Sequence, residues 1–238
     1  MELNVSKCVV MFLGRSSLVH EYDYCIDGRS LSVVEKFRDL GVITVPSLSP
    51  QDHLIHISSR VSSLLGFIHR STRSFKSPMA LVTLYKSLAR PILEYCSVIW
   101  NPYQTGHIEI LNRIQTRFLK LLGLKLGFPF LDVPVAALEV HFGLQPLPLR
   151  RQVNDIVFLF KVANGIIDCP ELLNEVDFNA PRGTRSRAVF RRRYQPTNYT
   201  LHHGISRLLR FSEDLCPHLD FFGPSPASFR RDVQRLLY

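Results

Sequence analysis

The sequence predicts a mainly α protein with a small N-terminal β unit, an α+β chain in which a helical bundle is followed by a less regular helical tail. Three observations predict it. Apolar residues recur three and four apart over long stretches between positions 50 and 125, the period of one helix face. Pro and Gly mark the short connections between those stretches. Short β-branched runs gather in the first 44 residues. With 238 residues, 46% hydrophobic and 21% charged, the chain has a globular composition and enough length for a real core.

Taken in order, Lys7–Leu13 is a β-branched run ending at Gly14 and reads as a strand. Tyr22–Ile26 and Phe37–Thr44 read the same way, with Asp27-Gly28 as a turn between them. This unit, residues 1–44, is too small to close its own core and offers strand edges that pair with something else. Val45–Pro50 is a Pro/Ser linker, and Ser49-Pro50 reads as a helix start. Leu54, Ile57, Val61, Leu64, Leu65 and Ile68 then form one stripe, a helix of about five turns. Arg60, Arg70, Arg73 and Lys76 lie along its flank.

Ser77-Pro78 opens the central stretch. Leu81, Leu84, Tyr85, Leu88, Ile92, Tyr95 and Ile99 form its stripe, with Tyr85, Tyr95 and Trp100 as core anchors. Pro91 is expected to kink or split the helix, since it lacks a donor and clashes with the preceding turn. Glu94 reads as a first-turn carboxylate of the second half, and Asn101-Pro102 closes the segment. Ile108, Leu111, Ile114, Phe118, Leu121 and Leu122 give the next stripe, with Arg113, Arg117 and Lys120 on a neighbouring face and Gly123–Gly127 as the stop. A short helix follows near Val135–His141, then one from Leu149 to Asn164-Gly165. Beyond Val176 the periodicity dissolves. Residues 181–199 carry Arg182, Arg185, Arg187, Arg191, Arg192 and Arg193 with no acid among them, and Ser228–Leu237 reads as a short basic helix.

Net charge is +9, which favours a polyanionic partner. Residues 1–44 hold 5 Lys/Arg against 6 Asp/Glu, residues 45–127 hold 10 against 3, and residues 128–238 hold 14 against 11. The excess therefore sits on the helical middle. Cations on a helix flank neutralise phosphates without reading sequence, although such a stripe also serves as an ordinary solvated face. Five dispersed cysteines without a Cys-x-x-Cys pattern indicate neither a zinc site nor a disulfide framework. Reduced thiols, no signal peptide and no long apolar run point to an intracellular protein, nuclear or cytoplasmic, with no membrane partner.

The pairs Asp23 with Asp27 and Asp132 with Glu139 are the nearest approach to metal-holding carboxylates, and exposed surface acids explain them as well. His202-His203 lacks further ligands. No phosphate loop, nucleophile elbow or His-Glu-x-x-His occurs. No catalytic residue, metal ligand or cofactor is therefore expected in this chain.

LYKSLARPILEYCSVIWNPY, followed by HIEILNRIQTRFLKLL, resembles the segment after the palm in reverse transcriptases of non-LTR (LINE-type) retrotransposons. The resemblance rests on Leu84-Tyr85, Pro91–Tyr95 and Trp100–Pro102 at fixed spacing. LNVSKCVVMF is similar to the end of the palm, with Lys7 after the catalytic strands. YDYCIDGRSLSVVEKFRDLGVI is similar to the hairpin that grips the primer, ending in Asp39-Leu40-Gly41-Val42. The run RSRAVFRRRYQPTNYT to SFRRDVQRLL resembles the tail of the same elements. The resemblance implies an end of palm over 1–44, a helical thumb over 45–127 and a basic tail over 128–238. The function that the resemblance implies is that of an RNA-directed DNA polymerase, with an RNA/DNA template–primer duplex and the missing palm and fingers portion as expected partners. The family's paired aspartates (Phe/Tyr-x-Asp-Asp) are not in this sequence. The expectation is thus a fragment without polymerase activity of its own, with Mg²⁺ belonging only to an intact polymerase. Lys7, Arg60, Arg70, Arg73, Lys76, Arg113, Arg117, Lys120 and Arg191–Arg193 are the expected duplex-binding set. The alternative is a host-recruited nucleic-acid-binding or protein-interaction module with no catalytic role.

Overall fold

In the computed structural model, residues 4–14, 22–179, 189–202, 204–213 and 215–238 are described. Helix accounts for 58% of the chain and strand for 8%, which bears out a mainly α protein with a small β unit. That unit is built of pieces shorter than the sequence predicts. After a 3₁₀ turn at Val5–Lys7, β1 (Val9–Val10) pairs in parallel with β4 (Ser32–Val33). The Asp27-Gly28 turn joins β2 (Cys25–Ile26) to β3 (Arg29–Ser30). Phe37–Thr44 is two strands rather than one: β5 (Phe37–Asp39) and β6 (Val42–Thr44) form an antiparallel hairpin. Leu40 (φ 43°) and Gly41 (φ 93°) both take positive φ at its tip, the requirement of a tight two-residue hairpin turn.

Helix α1 (Gln51–Ser71) buries Leu54, Ile57, Val61, Leu65 and Ile68, the predicted stripe. The central stretch departs from prediction. Helix α2 (Pro78–Leu84) starts after Ser77 as expected, passes into a π turn (Tyr85–Ala89), and resumes as α3 (Arg90–Glu94). The N–H of Arg90 donates five residues back to Tyr85 O, so the turn just before Pro91 holds one extra residue. That extra residue opens room for the proline ring, and the helix passes through Pro91 without splitting. Most positions of the predicted stripe beyond Tyr85 are therefore displaced by one or two, while Trp100 is buried as expected. Ala89, Leu93, Ser97 and Trp100 are buried, while the predicted Leu88, Tyr95 and Ile99 are exposed. The real break lies at Cys96, in the left-handed region at φ 51°, ahead of α4 (Ser97–Trp100).

Helix α5 (Thr105–Lys125) buries Leu111, Ile114, Phe118 and Leu122 and ends in Leu126 and Gly127. It lies along α1 in the same direction. The His53 ring at the start of α1 is 5.2 Å from Trp100 just ahead of α5, and Lys125 at the end of α5 donates to the carbonyls of Thr72 and Arg73 just past α1. Helices α6 (Val135–His141), α7 (Leu147–Ala163) and α8 (Pro170–Asn174) follow. A small pairing of β7 (Asp177–Phe178) with β8 (Phe190–Arg191) comes next. Helices α9 (Asn198–His202) and α10 (Gly204–Glu213) have no counterpart in the sequence reading, and α11 (Pro226–Leu237) closes the chain, capped by Ser225.

Two apolar clusters hold these elements. The first runs from Val42 to Leu147 and the second from Val153 to Val233. They divide along α7: Leu147 at its start belongs to the first, and Val153, Ile156, Val157, Leu159 and Phe160 belong to the second. In the first cluster the Tyr85 ring stacks on Phe118 at 4.1 Å, and its hydroxyl donates to Gln115 Oε1 at 3.0 Å. Gln115 in turn donates to Glu139 and to Gln145 O, both at 3.1 Å, so the one buried amide of α5 is satisfied by Tyr85 at its oxygen and by the elements that follow it at its nitrogen.

Candidate nucleic-acid interface

With α5 fixed by its apolar face, its charges fall where the period puts them. At about 100° per residue, Arg113, Arg117 and Lys120 span about 60° of arc, opposite Leu111, Phe118 and Leu122. Arg113 and Arg117 are exposed. Arg113 has one ion pair, to Glu109 at 3.3 Å, a solvent-exposed contact of little energetic weight. Lys120 places its ammonium 4.7 Å over the Phe130 ring. Arg117 has no ion pair among the described residues. On α1 and the loop after it, Arg60, Arg70, Arg73 and Lys76 are also exposed and without ion pairs among the described residues. Lys7 is exposed in the 3₁₀ turn ahead of β1. The parallel packing of α1 against α5 thus brings two helices with outward cations side by side.

The tail arginines are placed differently. Arg192 pairs with Glu213 at 2.8 Å, and Arg193 forks onto both oxygens of Asp177 at 2.7 and 2.9 Å with Glu175 at 3.6 Å. The guanidinium beside it holds the Asp177 carboxyl below the usual range. Residues 181–199 contain no acid, but folding supplies three from outside, and only Arg191 of this trio has no pair among the described residues. Arg182, Arg185 and Arg187 lie outside the described residues.

Asp39, Leu40 and Gly41 form the tip of the β5–β6 hairpin, with Leu40 84% exposed. Tyr95 was expected in the core. It is exposed instead, and its hydroxyl donates to Leu40 O at 2.9 Å, fastening the tip to the end of α3. Trp100 is buried as expected, and its Nε1 donates to Tyr95 O at 2.8 Å. The expected first-turn role of Glu94 is also corrected. It stands at the end of α3, and both of its oxygens accept from Arg150 of α7, one of them at 2.9 Å.

Sequence reasoning missed a fully buried polar network behind the interface. Asp155 and Arg151 of α7 and Arg207 of α10 are 0%, 0% and 2% exposed. Arg207 donates to both Asp155 oxygens (3.1 and 3.4 Å) and to Val98 O. Asn101 donates to Asp155 at 2.9 Å and accepts from Arg151 Nε at 2.9 Å. Asn101 of the Trp-Asn-Pro element is therefore a hub between the bundle and the tail. Burial pulls Arg151 down to about 10 and pushes the Asp155 carboxyl up, with Arg207 and Asn101 opposing that rise. One signal for this network was available: Arg151 and Asp155, four apart, share their side of α7 with Leu147, Leu159 and Val162.

Two cavities flank the hairpin. One of about 390 Å³ lies between β6 and the segment Trp100–Gln104. The other, of about 370 Å³, lies between the hairpin tip, α1 and α3. His53 is in the wall of the second: its Nδ1 accepts from Ile43 N–H at 3.3 Å, and its buried Nε2 has no partner among the described residues. Burial, reinforced by His56 and Arg38, lowers this imidazole from 6.5 to about 4.

Of the acidic pairs, Asp23 accepts from Ser30 at 2.6 Å and Glu139 from Gln115. His202 stacks on Tyr103 at 4.3 Å, and His203 lies outside the described residues. Among the described residues no group of three or more His, Cys, Asp and Glu side chains is arranged as metal ligands would be. No helix among them is long and apolar enough to cross a membrane. Compared with protein-family models, curated proteins and solved structures, the chain gives no match.

Proposed function

We propose that this chain supplies the duplex-holding region of a reverse transcriptase of the non-LTR retrotransposon type, binding an RNA–DNA template–primer through phosphate contacts and taking no part in bond making. The observation that carries the proposal is the outward triad Arg113, Arg117 and Lys120 on a helix whose opposite face is locked in the core. Such a face presents charge at fixed spacing to a regular polyanion and loses little side-chain support on binding. The exposed Arg60, Arg70, Arg73 and Lys76 extend it onto α1. The fit of Leu84-Tyr85, Pro91–Tyr95 and Trp100–Pro102 to the family's pattern supports the same reading. A second reading, a protein-interaction module, is favoured by the exposed Leu13, Tyr22, Val33 and Leu40 on the N-terminal β unit.

The test is the salt dependence of RNA–DNA duplex binding. Replacing Arg113, Arg117 and Lys120 with Gln keeps most of each stem and lowers the slope of log K against log salt by about 2 to 3, since each lost phosphate contact is worth about 0.9. The tail variant with Gln at 191–193 changes it by about 1 or less, because Arg192 and Arg193 already hold carboxylates. An unchanged slope for the helix variant, with a shallower one for the tail variant, removes the duplex from α5.

A further inference from the structure

The cavity under the hairpin tip is lined by nitrogen-bearing side chains, two arginines and two histidines, on one side and by apolar surface on the other. His53, His56 and Arg60 follow at intervals of three and four on one flank of α1, and Arg38 faces them from β5. The hairpin register fixes this arrangement: Arg38 pairs across the ladder with Ile43, and Ile43 is the residue whose N–H engages His53. No acid lines the cavity, and neither Arg38 nor Arg60 has an ion pair among the described residues. The Ile43 bond takes His53 Nδ1 as acceptor, so the neutral ring carries its proton on Nε2, a buried donor without a partner among the described residues. Burial, with His56 and Arg38, works against protonation of His53. Ile57, Ile92 and Tyr95 complete the wall.

Several unspent N–H donors and cations at one end, with an apolar wall beside them, suit an anion attached to a flat, weakly polar body. An internal phosphodiester offers one charge and two free oxygens. A phosphomonoester offers nearly two charges and three strong acceptor oxygens, which matches a one-ended site with donors from two elements. We propose that this cavity binds the terminal phosphate of a nucleotide, either a free nucleoside monophosphate or the phosphorylated end of a strand. The site is separate from the outer face of α5, sharing only Arg60 with the proposed duplex-binding set, and does not depend on duplex binding at α5.

The full-length chain is titrated with AMP and with adenosine, following the fluorescence of Trp100, whose ring lies 5.2 Å from His53. It is also titrated with a short single-stranded oligonucleotide carrying a 5′-phosphate or a 5′-hydroxyl. AMP is expected to bind tighter than adenosine, or the phosphorylated strand tighter than the hydroxyl strand, by about tenfold or more, the worth of a charge-assisted contact. A preference confined to AMP assigns the free nucleotide, and one shown by the strand assigns the strand end. The double variant Arg38→Gln/Arg60→Gln, altered only at exposed side chains, abolishes the preference. The Gln variant of Arg113, Arg117 and Lys120 keeps it, so loss of duplex binding and loss of this site are told apart. Equal affinities within both ligand pairs, or a preference that survives Arg38→Gln/Arg60→Gln, overturn the proposal.

Discussion

Removing Asp155 tests whether the buried network joins the two apolar clusters. Its carboxylate accepts three N–H groups: Arg207 Nε at 3.1 Å, Arg207 Nη2 at 3.4 Å and Asn101 Nδ2 at 2.9 Å. Asp155→Ala leaves a guanidinium that is 2% exposed with only backbone carbonyls for partners. A broken buried pair of this kind costs about 3–5 kcal/mol. Arg207→Met strands the carboxylate instead and costs a similar amount. The double variant Asp155→Leu/Arg207→Met removes one charge of each sign, so the net charge of the buried network is unchanged, although Arg151 loses the attraction of the Asp155 carboxylate. It is expected to cost less than the sum of the singles by about 2 kcal/mol or more, the coupling of residues in one network. Urea unfolding gives each value from the midpoint at constant m. A double variant that equals the sum to within about 0.5 kcal/mol refutes the pairing as the source of the effect.

Other perturbations test separate features. Because burial depresses His53 to about 4 while the unfolded imidazole titrates near 6.5, the unfolded state takes the proton first. Stability is then full above pH 6.5 and falls as pH drops toward 4, by on the order of 2–3 kcal/mol. His53→Asn keeps an acceptor for Ile43 and flattens that part of the curve, and parallel curves for the two proteins would exclude the assignment. Gly123→Ala, a change that ordinarily favours a helix, should here destabilise by about 1–3 kcal/mol, because a Cβ would collide with the Val133 methyls. Adding Val133→Ala should recover most of the loss, and a rise in melting temperature for Gly123→Ala alone would contradict the packing. Trp100→Ala should cost about 3–5 kcal/mol and Trp100→Phe about 1 kcal/mol for the lost bond to Tyr95 O; an unshifted urea midpoint for the Ala variant counts against a buried anchor.

What was legible in the sequence is what local chemistry decides. The stripes of α1 and α5, the Ser77-Pro78 start and the span Val135–His141 follow from periodicity and caps, and the structure repeats them. The outward cations of α5 were legible for the same reason, since the side opposite an apolar stripe is exposed. Partners distant in sequence were not. Glu94 meets Arg150, 56 residues away, and Arg192 meets Glu213, 21 away, so their charges could not be assigned from neighbours. The hairpin tip at Leu40-Gly41 was hidden because a leucine with positive φ is rare, and here Tyr95 holds it from another element. Core positions past Tyr85 were misplaced because a fixed period of 3.6 has no place for the π turn.

That turn makes chain length, as well as sequence, a variable at this point. Deleting Leu88, which is 44% exposed, brings Tyr85, Ala89 and Leu93 to spacings of three and four in an unbroken α-helix, with the same side chains facing inward. The core would accept the shorter chain, whereas Pro91 would not, since its ring then meets the carbonyl one turn back. Losing one residue is therefore harmful while the proline is present and tolerable once the proline is replaced. Homologous chains that are one residue shorter between Tyr85 and Ala89 are expected to carry something other than proline at the position of Pro91.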